Sequence, residues 1–139
     1  MARQAYENDL QRLKEELLKM GGLVEEMIAL ATRSIADRDP EMARQVIRMD
    51  DLIDQMDGRI EERCMRLLAL QQPLARDLRF ITMAMKIGND LERVGDHAVN
   101  IAETVQYLAQ APPFPTLPEI EEMSRIANDM LSDALNSFI

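Results

Sequence analysis

The segment PEMARQVIRMDDLIDQMDGRIEERCMRLLAL, residues 40–70, decides the fold because its apolar residues recur at regular steps of four and three. These positions are Met42, Val46, Met49, Ile53, Met56, Ile60, then Cys64 or Arg63, and Leu67. Such steps are typical of helices that pack side by side in a left-handed bundle. Asp39 is a favourable N-cap residue and Pro40 suits the first helical position. The sequence therefore predicts a long bundle helix over 40–70.

Two further segments predict helices of similar length on either side of this one. The first covers about 6–36, and its apolar stripe has Gly21 and Gly22 inside it. We expect these glycines to permit the close approach of a neighbouring helix or a small kink. The second covers about 74–109, after Pro73 has ended the preceding helix. Its seam consists mostly of small residues, which let helix axes approach closely: Ala84, Gly88, Leu91, Gly95, Ala98 and Ala102.

A proline-rich stretch and a fourth helix complete the chain. Four prolines lie within residues 112–118, which no helix can cross. The helix predicted over about 118–139 repeats the first helix at an offset of 103 residues, pairing Met20 with Met123, Met27 with Met130, Ala31 with Ala134, and Ser34 with Ser137. We predict an all-α fold: an antiparallel, spectrin-like three-helix bundle in residues 1–110, a linker in 111–118, and the first helix of a second repeat in 119–139. The apolar face of that last helix needs a partner, on its own bundle or on another chain, and we expect a homodimer.

The composition excludes several classes of protein. A net charge of −9 argues against binding to nucleic acid and to anionic membrane surfaces. The single cysteine, Cys64, permits neither an internal disulfide nor a zinc–thiolate site. The sequence contains no apolar run long enough for a membrane span and no signal-peptide core. We expect a cytoplasmic protein that meets the membrane only through its partners.

Two predicted helices carry strips of acidic side chains. In LERVGDHAVNIAE, residues 91–103, the strip follows steps of four, four and three: Glu92, Asp96, Asn100 and Glu103. The helix before it has Asp50 and Asp54, with Asp57 and Glu61 further along the same side. A tight turn near Gln72 makes these helices antiparallel neighbours, with the two strips at similar heights. Oxygen ligands alone suit a hard cation or iron.

A solvated helix face is the alternative, because Arg59 and Arg93 are close enough in sequence to form ion pairs with these acids. His97, the one histidine, is expected on the surface. The Glu-x-x-His arrangement of di-iron bundles is absent, because Val94 stands three residues before His97. The sequence contains no Gly-rich phosphate loop and no visible nucleophile–base pair, so catalysis is not expected.

Three blocks of the sequence resemble the PhoU family, the phosphate-transport accessory proteins of bacteria. They are LLKMGGLVEEMI, LALQQPLARDLRFI and KIGNDLERVGDHAVNIAE, and the resemblance extends over about residues 6–139. The family is built of two similar three-helix bundles in tandem. The present sequence contains one bundle and the opening helix of the next, and so resembles a truncated member.

The resemblance implies a regulatory function without catalysis. Members of the family couple a PstB-type ATPase subunit of the phosphate transporter to a PhoR-type histidine kinase, and they keep the phosphate-starvation response off when phosphate is plentiful. They also bind iron or zinc in multinuclear clusters through paired E(D)-x-x-x-D motifs. Carried over to this sequence, the ligands are Asp50, Asp54, Glu92 and Asp96, with Asn100 and Glu103 as extensions. The alternative function is that of a metal-storage bundle or a metal-dependent enzyme.

Overall fold

The computed structural model describes residues 2–113, 115 and 117–139. Within them it contains four helices and no strand: α1 (Ala2–Asp37), α2 (Pro40–Gln71), α3 (Ala75–Leu108) and α4 (Pro118–Phe138). The all-α prediction is confirmed. The first three helices pack against one another as an antiparallel bundle, and α4 packs against α1.

The turn between α1 and α2 is built as the sequence predicts. The Asp39 side chain accepts hydrogen bonds from the backbone N–H groups of Glu41, at 3.0 Å, and Met42, at 3.3 Å. Pro40 follows as the first helical residue. An N-cap of this kind contributes about 1 kcal/mol to stability. The second turn passes through Gln72 in the left-handed region, and α3 begins at Ala75 because Leu74 is still extended.

The core follows most of the predicted seams of α1, α2 and α3. In α2 the prediction is wrong at Met42, where Ala43 is buried instead, and Met49 is only half-buried. Of the two alternatives at the next position, Cys64 is buried, while Arg63 lies at the edge of the core and binds Glu16 of α1. Each large aliphatic side chain buried in this way contributes about 1.5–3 kcal/mol. The buried residues of α2 are Ala43, Val46, Ile53, Met56, Ile60, Cys64 and Leu67, and those of α3 are Ile81, Ala84, Gly88, Leu91, Gly95, Ala98, Ala102 and Val105.

Helix α4 docks on α1 at the place where α1 has a glycine. A Cβ atom at Gly21 would overlap the Leu135 side chain, which is 6% exposed, whereas a Cβ atom at Gly22 would meet nothing within 4 Å. The close approach predicted for this glycine pair is therefore confirmed for Gly21 alone. Phe138 extends the contact to α3, where its ring stacks on Phe80 with centroids 4.8 Å apart.

The two sides of α4 differ in their surroundings. Its inner side packs on α1, and Asn128 Nδ2 donates a hydrogen bond of 3.1 Å to the Glu25 carbonyl oxygen. Its outer side leaves Met123 and Met130 exposed by 68% and 66%. The equivalent methionines of α1 are fully buried. One apolar face of α4 thus finds its partner on the bundle, and the face equivalent to the core stripe of α1 stays open.

Across the residues that the structure describes, no helix combines the length and the apolar character that crossing a membrane requires.

Candidate metal centre

Acidic side chains of α2 and α3 gather along the contact between the two helices: Asp50, Asp57 and Glu92 are half-buried, whereas Asp54 and Asp96 are exposed. Burial, and then the negative charge of Asp54, raises the pKa of Asp50 from 3.8 to about 6. Asp96, Asp51 and Glu92 act in the same direction. The four residues of the paired motifs are therefore near enough to repel one another.

A second contact across the helices joins Glu92 of α3 to Asp57 of α2. Their side-chain hydrogen bond is the main cause that raises the pKa of Glu92 from 4.5 to about 7, followed by burial and by the charges of Asp57 and Asp96. Burial and the charge of Glu92 in turn raise the pKa of Asp54. Glu92 therefore keeps its proton to a higher pH than an isolated carboxyl group does, and a bound cation would relieve the same repulsion.

Two glycines of α3 lie beside carboxylates of α2, and one of them, Gly88, is needed for the close approach. A Cβ atom at Gly88 would lie 2.9 Å from Asp57 Oδ1, closer than a side-chain carbon normally approaches an oxygen. At Gly95 the nearest carboxylate oxygen is Asp50 Oδ1, at 3.9 Å from the position of a Cβ atom. Because Gly88 has no side chain, the Asp57 carboxylate can occupy the space beside it.

The site has several properties that suit a cation. Asp50 Oδ1 is buried and accepts no hydrogen bond. Neither Arg59 nor Arg93 forms an ion pair with these acids in the described part of the chain, and Lys86 binds Asp90 at 3.2 Å instead. All available ligands are carboxylate oxygens, which hard cations prefer. As the side chains stand, however, no three His, Cys, Asp or Glu residues among those described are arranged to hold a metal ion.

Asn100 and Glu103 lie beyond this cluster, although they continue its strip on α3. Both are exposed, and Glu103 is not among the charges that raise the pKa of Asp50 or of Glu92. The antiparallel register that sets Gly88 beside Asp57 places Asn100 and Glu103 opposite residues 45 and 42 of α2, which are Gln and Met. The nearest acid of α2 at that height, Glu41, is exposed and pairs with Arg44 and Arg48, so Asn100 and Glu103 have no partner carboxylate across the interface.

Asp57 is the residue that motif pairing leaves out. It lies one helical turn beyond Asp54 on the acidic side of α2. That position in the sequence could have identified Asp57 as a member of the predicted site. Next to it, an open cleft of about 380 Å³ is lined by Asp57, Glu61, Met85, Lys86 and Asn89. His97 is exposed on α3, as expected.

Comparison with known proteins points to the same helices that form the carboxylate cluster. The PhoU domain model matches residues 17–105, which include α2, nearly all of α3 and every residue of the carboxylate cluster.

The chain belongs to the PhoU domain family.

Relatives in the family cover nearly the whole chain. A phosphate-specific transport system accessory protein PhoU homolog from Aquifex aeolicus is 45% identical, across 94% of this chain and 59% of its own length. The homolog from Clostridium acetobutylicum is 39% identical, across 100% of this chain and 64% of its own length. The present chain thus spans about three fifths of the length of these PhoU relatives.

Solved structures place the same helices in the same arrangement. The crystal structure of PhoU from Pseudomonas aeruginosa matches 96% of this chain and 64% of its own, with a TM-score of 0.90 at 36% identity. The phosphate transport system regulatory protein PhoU from Streptococcus pneumoniae matches 95% of this chain and 62% of its own, with a TM-score of 0.85 at 36% identity. The PhoU-like bundle predicted from the sequence is therefore confirmed.

Proposed function

We propose that this chain regulates phosphate uptake as a non-catalytic accessory of the phosphate transport system. The observation that carries the proposal is the 45% identity to a phosphate-specific transport system accessory protein over 94% of the chain. The chain spans about three fifths of that relative, and the proposal concerns the part of the function that these helices provide.

In this proposal the chain is a cytoplasmic adaptor between two proteins. One partner is a PstB-type ATPase subunit, the other is a PhoR-type histidine kinase, and contact with both holds the phosphate-starvation response off when phosphate is plentiful. A helical bundle suits the role because its long faces offer extended docking surfaces. The exposed side of α4, with Met123 and Met130, favours further association of this region, as in a homodimer or with another bundle.

We further propose that iron or zinc binds between α2 and α3 through Asp50, Asp54, Glu92 and Asp96. The unpartnered Asp50 Oδ1 and the raised pKa of Glu92 support the assignment, because both mark negative charge that lacks compensation. Binding requires the carboxylates to be ionised and to turn toward a common point. Bound metal supplies positive charge that joins the two helices. Asn100 and Glu103, the extensions that the family motif suggests, lie beyond the cluster and are not part of this proposed ligand set.

Co-purification tests the adaptor proposal. The chain is expected to retain a PstB-type ATPase subunit, or the cytoplasmic part of a PhoR-type kinase, on a column. In a strain that lacks its PhoU protein, expression of this chain should lower a phosphate-starvation reporter in phosphate-rich medium. Binding to neither partner, together with an unchanged reporter, would contradict the proposal.

Metal analysis separates the adaptor from a metal-storage bundle or a metal-dependent enzyme. Untagged protein purified without chelator is expected to carry a few iron or zinc ions per chain, and an Asp54→Ala/Asp96→Ala variant should lose them. Uptake of many ions per chain, or metal-dependent turnover of a substrate, would favour the alternative. If neither protein holds metal after loading, the metal proposal is contradicted, and the cluster is interpreted as a solvated helix face.

A further inference from the structure

Helix α2 carries opposite charges on its two sides. Asp50, Asp54 and Asp57 face α3. Arg59, Arg63 and Arg66, with Glu62 among them, lie on the side toward α1 and solvent. At about 100° per residue, Arg59 is rotated by about 200° from Asp57 and from Glu61. The cationic side is therefore separate from the candidate metal centre.

The cationic side of α2 and the adjoining surface of α1 form a shallow channel, which we call the basic groove: Glu16, Lys19, Leu52, Met56, Arg59, Glu62, Arg63 and Arg66. Two clefts of about 100 and 80 Å³ lie along it and share Arg59. Leu52, Arg59 and Arg66 are spaced by seven residues, so they lie on one line along the helix. That line is about 21 Å long, and Leu52 at its start is 43% exposed.

The charges in the basic groove are only partly neutralised. Arg63 binds Glu16 through two hydrogen bonds of 3.0 and 3.1 Å, and Arg66 lies 3.5 Å from Glu62. Arg63 also lies 3.6 Å from Asp9. Lys19 and Arg59 form no ion pair within the described residues, although Glu16 lines the same cleft, and several other basic side chains of the chain are unpaired as well. What distinguishes the groove is that four basic side chains are gathered there with only two acidic ones, Glu16 and Glu62, in a protein of net charge −9.

The position of the groove keeps it accessible. Helix α4 packs against α1, and in the described part of the chain it makes no contact with α2. The exposed side of α4 and the basic groove are thus two different surfaces of the molecule.

We propose that the basic groove is a docking surface for an acidic helix of a partner protein. A helix of about 14 residues would match the length of the groove. Carboxylates at heptad spacing would meet Arg59 and Arg66, while an apolar residue would cover Leu52. A nucleic acid fits less well, because its phosphates continue beyond the groove into surroundings that are strongly acidic. The inference rests on the proposed function in that it assigns the face by which the adaptor meets a partner.

A labelled peptide tests the docking surface directly. The probe is a helical peptide of about 15 residues with glutamates at heptad spacing and one leucine, titrated with the whole chain and followed by fluorescence anisotropy. We expect a Lys19→Glu/Arg59→Glu variant to bind about tenfold more weakly at 150 mM salt, with a larger loss at 50 mM. Arg76→Glu/Arg79→Glu, which changes the net charge equally at exposed positions of α3, should stay within about twofold of the parent.

Further measurements make each outcome decisive. A peptide with lysines in place of glutamates should bind the Lys19→Glu/Arg59→Glu variant better than the parent, and a cooperative thermal transition like that of the parent shows that this variant is folded. Equal weakening by both variant pairs would overturn the proposal, and so would a single-stranded oligonucleotide or inorganic phosphate that displaces the peptide. Suppose that the parent and the groove variant retain a PstB-type ATPase or a PhoR-type kinase equally well. That result would overturn the proposal that the groove is the docking surface, but it would leave the adaptor function standing. Failure of the parent to retain either protein, with peptide binding intact, would contradict the adaptor function alone.

Discussion

Replacing Asp50 by Asn is expected to stabilise the metal-free protein at pH 7.5. Burial and the neighbouring carboxylates raise the pKa of Asp50 from 3.8 to about 6. The folded protein therefore holds the Asp50 proton more tightly than the unfolded chain does. Stability from this source is complete below pH 3.8, declines as the pH rises, and is lost above about pH 6. At pH 7.5 the ionised Asp50 thus weakens the fold, and the neutral amide of asparagine removes that effect at nearly the same size.

The size of the effect follows from the pKa. Each tenfold change in proton affinity corresponds to about 1.4 kcal/mol, so the raised pKa sets an upper bound of about 3 kcal/mol at pH 7.5. Water reaches this partly exposed cluster and screens its charges, so we expect a measured gain of about 1 kcal/mol. That gain corresponds to a rise in Tm of about 3–5 °C for a domain of this size.

Urea unfolding of chelator-treated protein at pH 7.5 and at pH 4.5 measures the gain. Asp133→Asn is the control, since it removes the same charge from an exposed position on α4. The gain for Asp50→Asn should fall below half at pH 4.5, where the folded protein keeps the Asp50 proton. An equal gain at both pH values, or an equal gain for the control, would refute the electrostatic explanation.

Four other expectations concern stability and local packing. Gly22→Ala should add about 1 kcal/mol in urea unfolding, because a Cβ atom there meets nothing. Gly21→Ala should instead displace Leu135 and speed amide exchange along α4; unchanged exchange would contradict the close packing. Asp39→Ala should cost about 1 kcal/mol through loss of the N-cap, measured in the same way. Without metal, stability should fall as the pH rises from 4.5 through about 7, since the pKa of Glu92 is raised; saturating zinc should flatten that profile in thermal melts.

The sequence predicts the helices and their seams well, because burial imposes a periodicity that appears in the residue order. The N-cap at Asp39 is equally local, since it depends only on the next three residues. The difference between Gly21 and Gly22 is not local. It depends on where α4 lies after a proline-rich stretch, and no periodicity within α1 records that position.

The candidate site was predictable only in part for a similar reason. Spacing along each helix identifies strips of acids, but which acids meet depends on the register and rotation of α2 against α3. That register brings Asp57 to Glu92 through the space at Gly88, and it leaves Asn100 and Glu103 opposite residues without carboxylates. Motif pairing therefore names four residues that do come together, Asp50, Asp54, Glu92 and Asp96. It misses Asp57, and it adds Asn100 and Glu103, which lie outside the cluster.

Because Asp57 and burial raise the pKa of Glu92 to about 7, any cation that enters the cluster competes with a proton. Loading would then acidify a weakly buffered solution, and calorimetry in two buffers of different ionisation enthalpy would count the protons released. Affinity would rise with pH up to about 7 and level off above it. Through this exchange, the occupancy of the cleft between α2 and α3 would follow the acidity of the surrounding solution as well as the supply of metal.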